Sequence, residues 1–309
     1  MDKDNVLKKL ADEAAVKNII NDCEMSGFTS FKTGGKADAL ILPENISQLR
    51  KILRVLSQSE LSFMVMGNGS NILVTDDGYS GVIVKIGDAF SEISVSGEEL
   101  TAGAGVLLPA AAKAAAEAGL TGLEFASGIP GSIGGAVFMN AGAYEKEMKD
   151  IVKSVRVLSK DGAGEFTRSS EEMNFTYRSS VLKDTGDVVT GVVLKLAKGN
   201  AEEIKAKMRE LTALRNEKQP VCLPSAGSFF KRPAGHFAGK LIQDAGLKGL
   251  TVGGAMVSEL HAGFIVNTGN ATAADIIDLM NVIKLTVYDK FGVTLEPEVR
   301  IIGEIQNKI

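Results

Sequence analysis

The sequence predicts an α+β protein of about two domains, with loops suited to a cofactor. Three observations lead there. The chain has 309 residues, enough for about two domains at the usual ~150 residues each. Its opening section alternates strand-like, helical and strand-like runs, and from Gly81 short strand-like runs are separated by turns. Two glycine loops bordered by apolar runs interrupt that pattern: Gly67-Asn-Gly-Ser-Asn71, and Ser127-Gly-Ile-Pro-Gly-Ser-Ile-Gly-Gly-Ala-Val-Phe-Met-Asn-Ala-Gly-Ala-Tyr144.

Element by element, residues 6–20 read as a weakly patterned helix. Ala39–Leu42 reads as a strand. Asn45 is a candidate cap for a helix carrying Ile46, Leu49, Ile52, Leu53 and Leu56 at helical spacing. Phe63–Met66 reads as a buried strand that runs into the first glycine loop. Val82–Ile86, Ile93–Val95 and Leu100–Ala102 read as strands, and Leu107–Ala118 as an alanine-rich helix. Beyond the long glycine loop, Val152–Leu158 and Glu165–Thr167 flank the turn Lys160-Asp-Gly-Ala-Gly164, and Val188–Leu196 reads as a strand. Lys198-Gly-Asn200 marks a boundary. A charged helix follows over Ala201–Glu217, with Ile204, Met208, Leu211 and Leu214 on one face. A helix near Phe237–Ala245, a strand near Gly263–Asn267 and a long helix from Thr272 to Phe291 come next. Thr272 and Asp275 form a capping-box pattern. The chain closes on the strand-like Val299-Arg-Ile-Ile302.

Composition narrows the function classes. A hydrophobic share of 45% supports a sizeable core, and a net charge of −4 lacks the basic footprint of a nucleic-acid binder. No 18-residue apolar run predicts a membrane span. The opening Met-Asp-Lys-Asp-Asn-Val is polar and lacks a signal-peptide core. Cys23 and Cys222 are far apart and expected as free thiols in a reducing cytoplasm. His236 and His261 are the two histidines, so no metal site is expected.

Clustered glycines let main-chain N–H groups converge on an anion, most often a phosphate, and let a ligand approach without interference from Cβ. Each loop alone also fits a plain tight turn. Two of them suggest a large phosphate-bearing cofactor. The first loop is not a dinucleotide fingerprint, since Ile72 stands where the third glycine of G-x-G-x-x-G belongs, and a separate glycine pair, Gly103-Ala-Gly105, fails in the same way with Leu108. Gly235-His-Phe-Ala-Gly-Lys240 is one residue short of a P-loop and continues with Leu241 rather than Ser or Thr.

Further motifs lie downstream: Asn174-Phe-Thr-Tyr-Arg178, Arg215-Asn-Glu-Lys-Gln-Pro220, Ser225-Ala-Gly-Ser-Phe-Phe-Lys231 and Leu295-Glu-Pro-Glu-Val-Arg300. Singly, they also fit a surface ion pair for Arg178, a turn hydroxyl for Ser228 and a salt-bridge partner for Glu298. In combination with the glycine loops and Thr29-Ser-Phe-Lys-Thr-Gly-Gly35, they resemble the UDP-N-acetylenolpyruvoylglucosamine reductase family over nearly the whole chain. Phe229-Phe-Lys-Arg-Pro233 and the compact length resemble its shorter subclass. One departure is Tyr144-Glu-Lys-Glu147, where many members carry glycines after the tyrosine.

The resemblance implies a vanillyl-alcohol-oxidase/p-cresol-methylhydroxylase-type FAD-binding fold. Two α+β subdomains, residues 1–80 (joined by a C-terminal strand, 299–309) and 81–198, would hold FAD. Residues 199–298 would form an α+β substrate domain. It implies that Gly67, Asn68, Gly69, Ser70 and Asn71, with Gly128, Ile129, Pro130, Gly131, Ser132, Gly134 and Gly135, cradle the FAD pyrophosphate. Thr33, Gly34, Asn140 and Gly142 would complete the pocket. Some relatives of this fold tether flavin to a histidine in the flavin-binding part. Both histidines here follow residue 235, so noncovalent FAD is expected.

The implied reaction carries hydride from NADPH through FAD to UDP-N-acetylglucosamine enolpyruvate, giving UDP-N-acetylmuramate. Arg178 would bind the carboxylate and stabilise enolate charge. Ser228 matches the family's proton donor. Glu298 matches the other active-site carboxyl, inferred to act as a neutral acid or through a shared proton, because a charged carboxylate would repel the enolate. Tyr177, Arg215, Lys218 and Arg232 are the substrate-binding candidates. A monomer or weak oligomer is expected. The rival readings are a sugar or alcohol oxidase of the same fold and a sugar-nucleotide-binding regulator without catalysis.

Overall fold

The computed structural model describes residues 3–304. Its chain separates into two compact units. One takes the chain up to Asn21, Ala39–Asn68 and Gly81–Ala213; the other takes Asp22–Asp38, Gly69–Ser80 and the chain from Leu214 on.

The chain opens with the helix Lys3–Glu13, shorter than the run 6–20 suggests. Ala15 turns left-handed at φ 51°, and Ile19–Glu24 is a strand. That strand heads a four-stranded sheet in the order Ile19–Glu24, Lys36–Ile41, Tyr79–Lys85, Phe63–Met66. Phe63–Met66 lies parallel to Val82–Lys85. The helix Ile46–Ser57 buries Leu49, Ile52, Leu53, Val55 and Leu56, and Asn45 caps it by accepting the Gln48 N–H at 2.9 Å. Losing such a cap costs about 1 kcal/mol.

The larger sheet of the first unit is antiparallel throughout. Its order is Glu165–Ser169, Val152–Leu158, Val188–Lys195, Glu99–Gly103, Ile93–Ser96. The helices Leu108–Glu117 and Ile133–Met139 contribute Leu108, Ala111, Ala112, Ala115, Ile133, Ala136 and Val137 to the same core as this sheet. The second of these helices lies inside the segment that reads as a long glycine loop. Gly134 and Gly135 disfavour helix by about 1 kcal/mol each. Tertiary contacts override that preference. The Ile133 N–H donates to Val106 O at 2.7 Å and the Gly134 N–H to Ala104 O at 2.9 Å. A Cβ on Gly134 would lie 3.0 Å from the Ala104 Cβ, so glycine lets the helix seat that closely.

The second unit packs the helices Ala238–Asp244 and Ala273–Phe291 with the short antiparallel sheet Thr251–Val252, Ala255–Val257, Ile265–Asn267. The capping box is present: Thr272 accepts the Asp275 N–H and the Asp275 side chain accepts the Thr272 N–H, each at 3.0 Å. Asp76 adds both carboxylate oxygens to the same helix end, accepting the Ala273 and Ala274 N–H groups at 2.8 Å. Arg300–Ile302 pairs in parallel with Ile72–Val74, the strand leaving the first glycine loop. Of the C-terminal strand expected over 299–309, residues 305–309 lie outside the described residues, as do Met1 and Asp2. Among the described residues no helix is long and apolar enough to cross a membrane.

Candidate functional site

In the first unit, Gly67 and Asn68 meet the second glycine loop. The Asn68 amide donates to Pro130 O at 2.8 Å. A Cβ on Gly67 would fall 2.3 Å from Ser132 Oγ. Ser132 is 2% exposed, and its hydroxyl has no hydrogen-bond partner among the described residues, nor has the buried Ser127 hydroxyl. Buried polar groups are ordinarily paired, so two orphan hydroxyls beside a glycine surface leave hydrogen-bonding capacity that suits a bound anion or water. Gly131 is buried, Gly128 and Ile129 are half-buried, and Pro130 and Gly135 are exposed.

Asn140 ends the helix Ile133–Met139 in the left-handed region at φ 43°. Its amide donates to Glu147 Oε2 at 3.1 Å and Thr176 O at 3.0 Å and accepts the Lys149 N–H at 2.9 Å. This side chain is therefore engaged within the fold; what it positions is the carbonyl-rich backbone running on to Gly142. Arg178 donates to those carbonyls, Nη1 to Asn140 O at 3.5 Å and Nη2 to Gly142 O at 3.3 Å, and its guanidinium carbon lies 5.0 Å from the centre of the Tyr177 ring. Gly142–Ala143 pairs with Lys146–Glu147, so Tyr144 and Glu145 form a two-residue hairpin turn. Both are left-handed, at φ 51° and 64°, as a type I′ turn requires. This explains why a glycine suits the position directly after the tyrosine, which Glu145 occupies here. Here the turn is also tied down by the Tyr144 hydroxyl, which donates to Leu211 O at 2.9 Å.

In the second unit, Thr29–Gly35 is wound into its surroundings. Thr33 Oγ1 donates to Ala271 O at 2.6 Å, and Thr29 Oγ1 to Thr33 O at 3.2 Å. Gly34 takes φ 115°, and a Cβ there would sit 2.8 Å from the Val74 Cβ. The Ser30 N–H donates to Gly69 O at 3.1 Å, which joins this segment to the glycine loop, while the buried Ser30 hydroxyl has no partner among the described residues. Asn71 reaches the C-terminal motif: its amide donates to Glu298 O at 3.2 Å and its carbonyl accepts the Arg300 N–H at 3.0 Å. Ser70 is half-buried.

The segments of Ser228 and Glu298 run side by side. Phe230 and Pro297 form an antiparallel bridge, the Glu298 N–H donates to Phe229 O at 2.8 Å, and the Lys231 N–H donates to Glu296 O at 2.9 Å. Ser228 is exposed after Gly227, which takes φ 81°, and Glu298 is half-buried. Glu296 is exposed and ion-paired with Lys231 at 3.0 Å. Arg215 and Lys218 share the last turn of the helix Ala201–Lys218. Arg232 stacks on the exposed Phe237 ring, 3.9 Å from its centre. Near Ser228, the Phe229 N–H donates to Gly263 O at 2.8 Å, and the Gly263 N–H donates to His261 Nδ1 at 3.0 Å. Burial pushes the half-buried His261 below its ordinary pKa, and Lys248 lowers it further.

Sequence reasoning missed Asp76 and Asn267. Buried Asn267 donates to Phe31 O at 3.0 Å and accepts the Gly269 and Ala271 N–H groups at 2.8 and 3.0 Å, which anchors Thr29–Gly35 from behind. The signal was available as Asn and Asp residues opening turns, at Asn267-Thr-Gly269 and Asp76-Asp-Gly78. Among the described residues no cluster of His, Cys, Asp or Glu fits a metal ion.

The family model described as "FAD binding domain" matches residues 37–165, and that for the "UDP-N-acetylenolpyruvoylglucosamine reductase, C-terminal domain" matches residues 219–302. A reductase of the latter name from Alkaliphilus oremlandii is 48% identical over 98% of this chain and all of its own length. Another from Latilactobacillus sakei is 50% identical over 93% of this chain and 94% of its own. The crystal structure of UDP-N-acetylenolpyruvylglucosamine reductase (MurB) from Thermus caldophilus is 37% identical, with a TM-score of 0.79, and covers 93% of this chain and 98% of that one.

Fold and matched domains define an FAD-dependent oxidoreductase with the vanillyl-alcohol-oxidase type of flavin-binding fold. The unpaired serine hydroxyls and the surfaces free of Cβ suit a diphosphate-bearing cofactor. The chain belongs to the UDP-N-acetylenolpyruvoylglucosamine reductase family.

Proposed function

We propose that the protein reduces UDP-N-acetylglucosamine enolpyruvate to UDP-N-acetylmuramate with NADPH, a cytoplasmic step of peptidoglycan precursor synthesis, as a monomer or weak oligomer. Residues 1–80 with 299–309, and 81–198, serve as the two FAD-binding parts, and 199–298 as the substrate domain. FAD is held noncovalently by the two glycine loops with Thr33, Gly34, Asn140 and Gly142. The matched flavin-binding stretch 37–165 contains neither His nor Cys for a covalent link, which supports this. When bound, FAD supplies a two-electron relay between the nicotinamide and the enolpyruvyl double bond.

Arg178 binds the substrate carboxylate with its planar fork and stabilises the negative charge that grows there. The Ser228 hydroxyl donates a proton to the carbon beside that carboxylate, because an enolate carbon is a strong enough base to take it at close range. Glu298, as a neutral acid or through a shared proton, offsets enolate charge without repelling it. Tyr177, Arg215, Lys218 and Arg232 orient the carboxylate and diphosphate.

The observation that carries this reading is the Phe230–Pro297 bridge, which runs the Ser228 and Glu298 segments alongside each other. Its test is a two-stage flavin absorbance experiment on the holoprotein without oxygen. NADPH should bleach the flavin, and the enolpyruvyl sugar nucleotide should restore the colour. Ser228→Ala should leave bleaching nearly intact and slow the return roughly 10²–10⁴-fold. Bleaching without return in the native protein would overturn the substrate assignment. Equal damage to both stages in Ser228→Ala would overturn the proton-donor role.

A further inference from the structure

Arg178 sits where an L-residue seldom does. Thr176 and Ser179 exchange backbone hydrogen bonds at 3.1 and 3.2 Å, so Tyr177 and Arg178 are the tip of a two-residue turn. Arg178 takes φ 53°, in the left-handed region that favours glycine. Such a conformation persists when surrounding contacts over-determine it. One contact acts on the backbone of Arg178 itself: the Lys183 ammonium donates to its carbonyl oxygen at 2.6 Å. Lys183 is mounted on an anchored turn. Its N–H donates to Ser180 O at 3.1 Å, and buried Ser180 donates its hydroxyl to Phe138 O at 2.9 Å.

We propose that Lys183 is a positioning residue for Arg178. Its ammonium holds the Arg178 carbonyl, and that contact keeps the turn in the left-handed form that sends the guanidinium over the Asn140 and Gly142 carbonyls. The donor is charged and the bond short, the combination that gives the stronger hydrogen bonds. A lysine stem is long enough to reach a carbonyl five residues back in the chain. Arginine keeps a cationic donor at that place, whereas methionine keeps the stem and removes the donor. The inference rests on the reading of Arg178 as the carboxylate-binding residue.

The test uses holoenzyme variants Lys183→Met, Lys183→Arg, Arg178→Ala and the double variant Lys183→Met/Arg178→Ala. Each is followed through flavin reduction by NADPH and reoxidation by the enolpyruvyl sugar nucleotide, with FAD content and melting temperature as fold controls. Lys183→Met should slow reoxidation about fivefold, as expected for loss of one exposed charge-assisted hydrogen bond, with reduction unchanged. Lys183→Arg should recover most of the rate. In the Arg178→Ala background, Lys183→Met should have no further effect, because the residue through which it acts is gone. A merely structural lysine would slow both backgrounds alike, and that result would overturn the inference. Arg178→Ala slow and Lys183→Met at the native rate would overturn it too, while leaving the role of Arg178 standing. Arg178→Ala at the native rate would overturn the reading of Arg178 and this inference with it.

Discussion

Replacing Gly35 with alanine would set a Cβ 2.1 Å from the Asp76 carbonyl oxygen and 2.8 Å from the Gly78 nitrogen, both backbone atoms. No rotamer change relieves that overlap. The strand entry must retreat by about 1 Å to reach ordinary contact. The Gly35 N–H bond to Thr75 O at 2.9 Å and the Met25 N–H bond to Gly35 O at 3.1 Å then break. Two lost backbone bonds at about 1 kcal/mol each, plus about 1–3 kcal/mol for a group left unpaired, exceed the ~0.4–1 kcal/mol that alanine contributes through the unfolded chain. A net loss of about 3 kcal/mol results.

Gly67→Ala has nearly the same nominal overlap, 2.3 Å, but the atom met is Ser132 Oγ. A serine hydroxyl can rotate, at about 0.5–1.5 kcal/mol for a strained rotamer, which the alanine gain roughly offsets. The fold should survive with its stability changed by less than about 1 kcal/mol. On the proposed reading, in which Ser132 bonds FAD, affinity for FAD should fall about tenfold as that hydroxyl is rotated away. Urea unfolding of the two apoproteins, followed by far-ultraviolet circular dichroism, measures the first difference; FAD titration by flavin fluorescence measures the second. Equal destabilisation of the two variants, or Gly35→Ala unfolding at the native midpoint, would refute the reasoning that the identity of the struck atom sets the cost.

Glu145→Gly should raise stability by about 0.5–1 kcal/mol by relieving a left-handed residue at φ 64°, and Glu145→Val should lower it; urea midpoints at constant slope report both. His261 is held below its ordinary pKa by burial, so the unfolded chain takes up the proton first as pH falls. Its stability contribution is therefore complete above about pH 6.5 and lost as pH drops through the folded value; His261→Asn should flatten that slope in urea midpoints measured from pH 7.5 down to 5. Glu298→Ala should slow flavin reoxidation far more than Glu296→Ala, because Glu296 is exposed and paired with Lys231; similar rates for the two would remove Glu298 from the chemistry.

Much of the local structure is legible in the sequence alone. Asn45 capping its helix, the Thr272–Asp275 capping box and the strands Phe63–Met66 and Val152–Leu158 all stand where their residues place them. Each is written by neighbours within a few positions: a hydroxyl or amide three residues from an open N–H, a short apolar run at Phe63–Met66, or β-branched residues interleaved with polar ones at Val152–Leu158. The family was legible for a related reason. Its motifs are contiguous, so the residues that carry the resemblance are read in order along the chain.

The tertiary structure decided what those residues are free to do. The helix Ile133–Met139 defies its own glycines because Val106 and Ala104 supply partners from a distant stretch of chain. Asn140 and Thr33 look alike as polar pocket residues in the sequence, yet their side chains are engaged with Glu147, Thr176 and Ala271. Ser132 is left buried and unpaired. The left-handed turns at Tyr144–Glu145 and Arg178 carry no glycine to announce them. Local propensity is set by energies of a few tenths to one kcal/mol per residue, whereas a buried partner or a close backbone approach is worth one to several. Where the two compete, contacts between segments remote in the chain prevail.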